Sequence, residues 1–149
     1  AFRSDFGRRV DHLPGAVARC SSAEEVAEVV RFCRTHKIPL VARGQGHSQS
    51  GQSTTEGGVL VDTSSLNTIH EIDEAGETAT VGAGVIWREL VQATVPRGFV
   101  PRVLTNNLNV AISGTLSMAG LGVASFRYGT QADNAVELQV VTGTGEIVT

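Results

Sequence analysis

Arg43-Gly44-Gln45-Gly46-His47-Ser48-Gln49-Ser50-Gly51-Gln52 is the stretch on which the reading of this chain turns. It comes directly after Pro39-Leu40-Val41-Ala42, an apolar run of strand length. Alternating glycines at the end of a strand leave main-chain amides exposed, an arrangement suited to cradling a phosphate. The pattern is not the dinucleotide fingerprint of a doubly wound sheet. That motif needs a third glycine where Gln49 stands, and an apolar-periodic helix that the following Ser-Gln-Thr tract cannot supply. No Gly-Lys-Ser/Thr occurs for a nucleoside triphosphate loop. From Arg43 to Gly58 about sixteen residues run without periodicity, and so long a structureless loop inside a compact domain is usually functional.

His47 lies between Gly46 and Ser48, where its side chain can turn towards a ligand without competing bulk. Three readings compete for it: a solvated loop histidine, a metal ligand, and a catalytic or cofactor-attached imidazole. The metal reading is weak, because His12, His36 and His70 share no short spacing with it and no Asp or Glu lies within eight residues on either side. No metal site is expected. The glycine context decides between the other two.

Around this loop the elements follow from periodicity. Ser22-Ala23-Glu24-Glu25 has the spacing of a capping box, with the hydroxyl on the N3 amide and the carboxylate reaching back to the N-cap. The spacing predicts a helix to about His36, with Val26, Val29, Val30 and Cys33 on one stripe. Val59-Leu60-Val61-Asp62 reads as a second buried strand. Thr68 to Asp73 and Thr78 to Val81, joined by a turn at Glu74-Ala75-Gly76-Glu77, form a predicted hairpin. Ile86, Leu90 and Val91, with Trp87 and Val95, predict a second amphipathic helix ending near Pro96 and Gly98. Val136 to Thr142 and Glu146 to Thr149, around Gly143-Thr144-Gly145, predict another hairpin; it stops in mid-strand, so the chain is expected to be a piece of something longer.

A second unusual tract, Ser113-Gly114-Thr115-Leu116-Ser117-Met118-Ala119-Gly120-Leu121-Gly122, reads as too rich in small residues for a stable helix interior or a packed strand. Close approach of backbone to something else is its expected use, against the alternative of an ordinary surface loop. Ser48, Ser113 and Ser117 lack the Gly-x-Ser-x-Gly elbow, so a hydrolase triad has no support.

Composition excludes several classes. With 41% hydrophobic and 18% charged residues, the chain has the apolar content of a folded domain, and at this length it can bury roughly 70% of its unfolded surface without a disulfide framework. A formal net charge of −3 leaves no basic face for nucleic acid. No apolar run reaches spanning length and no leader is visible, so the reading is a soluble chain with no membrane partner, its compartment unread and the cytoplasm slightly favoured. Cys20 and Cys33 have no metal spacing and read as small buried thiols. Glycine, 17 of 149 residues, clusters in loops, where a ligand is the economical reason for backbone to pass close.

Taken together, Arg43-Gly44-Gln45-Gly46-His47-Ser48 with Gly51-Gln52 resembles the phosphate loop of the vanillyl-alcohol oxidase, or PCMH-type, FAD-binding domain, and is most similar to cytokinin dehydrogenases. Ser113 to Ser117, Ala119-Gly120, Phe126-Arg127-Tyr128-Gly129, Asp133-Asn134 and Glu137 to Thr142 before Gly143-Thr144-Gly145-Glu146 follow that pattern in order, from about Asp5 to the end. The resemblance implies an α+β fold in two lobes, about 1–64 and 65–149. The first would be a small parallel sheet with helices and the second a larger, mainly antiparallel sheet, with FAD between them and the substrate domain absent.

The resemblance also implies that the Gly44 to Ser48 loop wraps the pyrophosphate and that the His47 position is bonded to the flavin 8α carbon. Ala42, Gly44, Gln45, Gly46, His47, Ser48, Gln52 and Ser53 are carried over as cofactor-binding residues. From the second tract come Ala111, Gly114, Ser117 and Gly120. Berberine-bridge-like relatives attach flavin to a cysteine as well, but no cysteine follows Cys33, so any linkage here is single. Cytokinin dehydrogenases carry a proton-accepting aspartate where Asn106 stands, and an amide cannot be that base, which puts cytokinin as substrate in doubt. Met118 stands where the family commonly has Asn. The implied activity is FAD-dependent oxidation of an alcohol or amine by hydride transfer to flavin N5, carried out by an intact oxidoreductase of which this chain is a part, the chain alone being expected to be inactive. The alternatives are a non-catalytic flavin module, or an apo fragment that self-associates through exposed apolar surface.

Overall fold

The computed structural model describes residues 2–149. Two compact units are present: one runs to Ser65 and takes in Glu137–Thr149, and the other is Leu66–Val136.

The first unit is built on a parallel sheet of three strands, β1 (Ala16–Arg19), β2 (Leu40–Arg43) and β3 (Val59–Asp62), in the order β1-β3-β2. Central β3 is apolar on both faces and carries the fully buried Leu60 and Val61, as expected of a strand covered on each side. β1 has no counterpart among the sequence expectations; Ala16-Val17-Ala18-Arg19 is too short and mixed to announce itself. Helix α1 (Ala23–Thr35) connects β1 to β2. Ser22 accepts the Glu25 amide, and the Glu25 carboxylate accepts the Ser21 amide at 2.7 Å, so the capping box forms with its return bond one residue earlier than predicted. Ala27 and Cys33 are the buried residues of α1, whereas Val26, Val29 and Val30 are only half-buried.

The closing hairpin, β6 (Val140–Val141) and β7 (Ile147–Val148), forms where predicted. It was expected in the second lobe. It packs instead on α1 in the first unit, where the Arg31 guanidinium donates to the Gly145 carbonyl at 2.6 Å.

The second unit contains the hairpin β4 (Ile69–Asp73) and β5 (Thr78–Val81), whose turn is held by the Asp73 carboxylate accepting the amides of Ala75 and Gly76. Helix α2 (Trp87–Thr94) buries Trp87, Leu90 and Thr94, while Val95, expected on that stripe, is half exposed. Gly98, in the left-handed region at φ 85°, caps the turn that follows.

The fold is α+β with a small parallel sheet, as expected. The antiparallel part of this chain is two separate two-stranded hairpins rather than one larger sheet. The Ser113 to Gly122 tract departs from expectation too: Ile112–Ser117 is a helix, α3, followed by the short α4 (Ser125–Tyr128). Tertiary anchoring overrides its poor composition. Ile112 is buried with Val85, Trp87, Leu90 and Val110, its amide donates to the Val85 carbonyl, and Trp87 Nε1 donates to Thr115 Oγ1 at 2.9 Å. No helix among the described residues is long and apolar enough to cross a membrane.

Candidate functional site

β2 ends at Arg43 and delivers the chain into the glycine loop. Arg43 is buried and turns back beneath the loop, donating to the Ser4 carbonyl at 3.0 Å and the Ser53 carbonyl at 3.4 Å. Gly46 is buried at φ 66°, and a Cβ there would meet the Arg43 guanidinium. Left-handed backbone and that close approach together require glycine. The amides of Gln45 and Gly46 donate to no acceptor among the described residues.

The floor of the loop is a buried carboxylate. Asp5 accepts the Gly51 amide at 2.6 Å and the Ser48 hydroxyl at 2.9 Å, and Ser48 also lies 2.7 Å from the Ser53 hydroxyl. Burial by itself raises the Asp5 pKa, but hydrogen bonds from Gly51, Ser48, Arg8 and Gly7 outweigh it and hold the group below its ordinary value. Residues 6 and 7 run alongside the loop: Phe6 donates its amide to Gly46, and Gly7 donates its own to Ser48. The Phe6 ring stacks on His47 with centroids 4.3 Å apart and planes 11° from parallel.

His47 is exposed on the wall of a polar hollow of about 560 Å³ lined by Ser4, Asp5, Phe6, Arg8, Arg43, Gln45, Gly46 and His47. A second hollow of about 360 Å³ between β1 and α1, lined by Val17, Val29, Phe32 and Cys33 among others, is almost wholly apolar and offers nothing to fix a phosphate. Among the described residues no three His, Cys, Asp or Glu side chains gather as a metal would need.

The structure therefore brings Gln45, Gly46 and His47 together on one hollow. Ser48, Gln52 and Ser53 instead spend side-chain bonds on the loop and its Asp5 floor, Gln52 accepting the Ser50 amide at 2.9 Å. Ala42 is exposed on β2, where it pairs with Val61. In the second unit Ala111 is the buried N-cap of α3, Ser117 donates to the Ser113 carbonyl, and the Gly120 carbonyl accepts the Gln131 amide. A Cβ on Gly114 would meet nothing within 4 Å, so the chain's own packing does not demand glycine there. Asn106 is exposed beside a turn in which Asn107 accepts the Asn109 amide.

Asp5, Phe6 and Arg8 do not stand out in the sequence, and Arg43 reads there only as the opening of the glycine loop. Asp5-Phe6-Gly7 carries no periodicity, and its partners lie more than forty residues along the chain.

The loop thus sets one histidine, and two amides with no acceptor among the described residues, beside a polar hollow. The chain belongs to a family described as FAD binding domain, which matches residues 14–149. It is 41% identical over 152 residues to cytokinin dehydrogenase 7 of Oryza sativa, covering 98% of this chain and 29% of that protein. An uncharacterised oxidoreductase of the fasciation locus of Rhodococcoides fascians is 39% identical, with 96% of this chain and 32% of that protein covered. In structure the chain is similar to 6-hydroxy-D-nicotine oxidase of Arthrobacter nicotinovorans, with a TM-score of 0.87 and 32% identity over 99% of this chain and 32% of that one. The chain thus spans about 30% of the length of these relatives. FAD is the cofactor of this family, and the relatives are named as a dehydrogenase, an oxidoreductase and an oxidase.

Proposed function

We propose that this chain holds FAD on the 43–53 loop and links it covalently to His47, as part of an oxidoreductase that oxidises an alcohol or amine by hydride transfer to flavin N5. The observation that carries this reading is the His47 ring standing on the wall of the polar hollow, beside the unengaged amides of Gln45 and Gly46. The residues fit the group. An anionic pyrophosphate needs amide donors and positive charge, which Gln45, Gly46 and Arg8, all lining the hollow, supply.

When bound, FAD supplies an electrophilic 8α methyl group and a two-electron sink. His47 contributes the nucleophilic ring nitrogen, and Asp5 holds the loop from which it projects. Ala42, Gly44, Ser48, Gln52 and Ser53 shape the loop. Ala111, Gly114, Ser117 and Gly120 are proposed as further cofactor-binding residues, and Asn106 orients substrate by hydrogen bonding without taking its proton. The relatives named cytokinin dehydrogenase and 6-hydroxy-D-nicotine oxidase support oxidation as the reaction class. Pocket walls and the proton acceptor are proposed to come from a substrate domain outside these residues.

The purified protein is expected to be yellow, with flavin that stays on the polypeptide through denaturation; His47→Ala is expected to release it. A colourless protein that takes up no FAD from solution contradicts the proposal.

A further inference from the structure

Resting on that reading, we propose that Phe6 is the positioning residue for flavin attachment: it holds the His47 imidazole in the attitude from which a ring nitrogen meets the 8α carbon. The relation between the two rings is fixed by backbone on both sides. The Phe6 amide donates to Gly46 at 2.9 Å and the Gly7 amide to Ser48 at 3.1 Å, so two main-chain bonds bracket His47. A Cβ on Gly7 would run into the Gln49 backbone, so the approach of the two segments depends on glycine at that position. Asp5, immediately before Phe6, ties the far side of the loop through Ser48 and Gly51. Phe6 itself is 61% exposed, which marks it as no part of the core, and its ring lies 4.3 Å from that of His47 and 11° from parallel.

Stacking on a face suits this role. The nucleophilic lone pair of an imidazole lies in the plane of the ring, so a partner stacked on the face restricts both side-chain torsions without itself occupying the reacting edge. Attachment joins that nitrogen to the 8α carbon and breaks one N–H and one C–H bond. The two electrons and two protons leave with dioxygen as hydrogen peroxide, so the oxidant is dioxygen and the flavin ends oxidised. Orientation of this kind controls the rate of bond formation more than the affinity for FAD.

The test uses the full chain, prepared without flavin and then incubated aerobically with FAD, as wild type, Phe6→Ala and Phe6→Tyr. Total bound flavin, the melting temperature and the fraction retained after acid precipitation are followed with time. Phe6→Ala is expected to bind FAD within about twofold of wild type and melt at the same temperature, yet to become covalent roughly tenfold more slowly, with Phe6→Tyr restoring the rate. Attachment of Phe6→Ala at the wild-type rate overturns the proposal while leaving the His47 linkage standing, and so does a parallel loss of binding and melting temperature, which would mark Phe6 as merely structural. If wild type itself releases all its flavin in acid, the linkage fails and this proposal with it.

Discussion

Asp5 and Gly51 are joined by a 2.6 Å hydrogen bond from the glycine amide to the carboxylate, across 46 residues of sequence. That bond, with the one from Ser48, makes the N-terminal segment a structural part of the glycine loop. The folded state holds Asp5 below the carboxylate's ordinary pKa, because its hydrogen bonds outweigh the opposing effect of burial. In the window below the ordinary value of 3.8 the unfolded chain therefore binds the proton first. The resulting stabilisation is complete above that pH and is lost as pH falls through the lower folded value. Asp5→Asn is expected to lower stability by about 2 kcal/mol at neutral pH. Its acid slope should also be shallower than that of wild type, as read from melting curves between about pH 2.5 and 7.

Gly46 and Gly114 separate two reasons for glycine. Gly46→Ala places a Cβ against Arg43 at a positive φ, and is expected to cost about 1–2 kcal/mol in denaturant melts and to weaken FAD uptake. Gly114→Ala meets no neighbour and sits in α3, so it should raise stability by about 0.5–1 kcal/mol. If Gly114 is kept for the cofactor, that same variant takes up FAD less tightly by fluorescence titration.

What was legible depended on range. The start of α1 is readable because Ser22 and Glu25 act on neighbours within four residues, and the hairpin at Gly143-Thr144-Gly145 because its turn is local. That this hairpin packs on α1 is not readable, since Arg31 and Gly145 are 114 residues apart. Helix α3 was missed because its small residues have poor intrinsic preference, and what stabilises it is Trp87, Val85 and the buried Ile112. The loop around His47 stood out through its glycines. Its supports Asp5 and Phe6 did not, nor did the supporting role of Arg43, because each acts through partners distant in sequence or through a side chain whose neighbour only the fold reveals.

Trp87 is expected to be the residue on which the second unit most depends, being buried and bonded through Nε1 to Thr115. Trp87→Ala should cost about 3–5 kcal/mol in chemical denaturation. Trp87→Phe keeps most of the volume and loses the bond, for about 1 kcal/mol.

Asn106 supplies a functional contrast. Asn106→Asp introduces a group able to accept a proton, and in the intact protein it is expected to speed flavin reduction by an amine substrate by about tenfold or more under anaerobic stopped flow. An unchanged or slower rate would remove position 106 from the chemistry.

The central claim is that the imidazole of His47 carries the flavin. Proteolysis of the purified, FAD-loaded protein followed by mass spectrometry of the fragment spanning residues 44–52 tests it directly. The account requires that fragment to be heavier by one FAD less two hydrogens, with fragmentation placing the added mass on His47. An unmodified fragment recovered in full, from a preparation whose flavin stayed bound until denaturation, would contradict it.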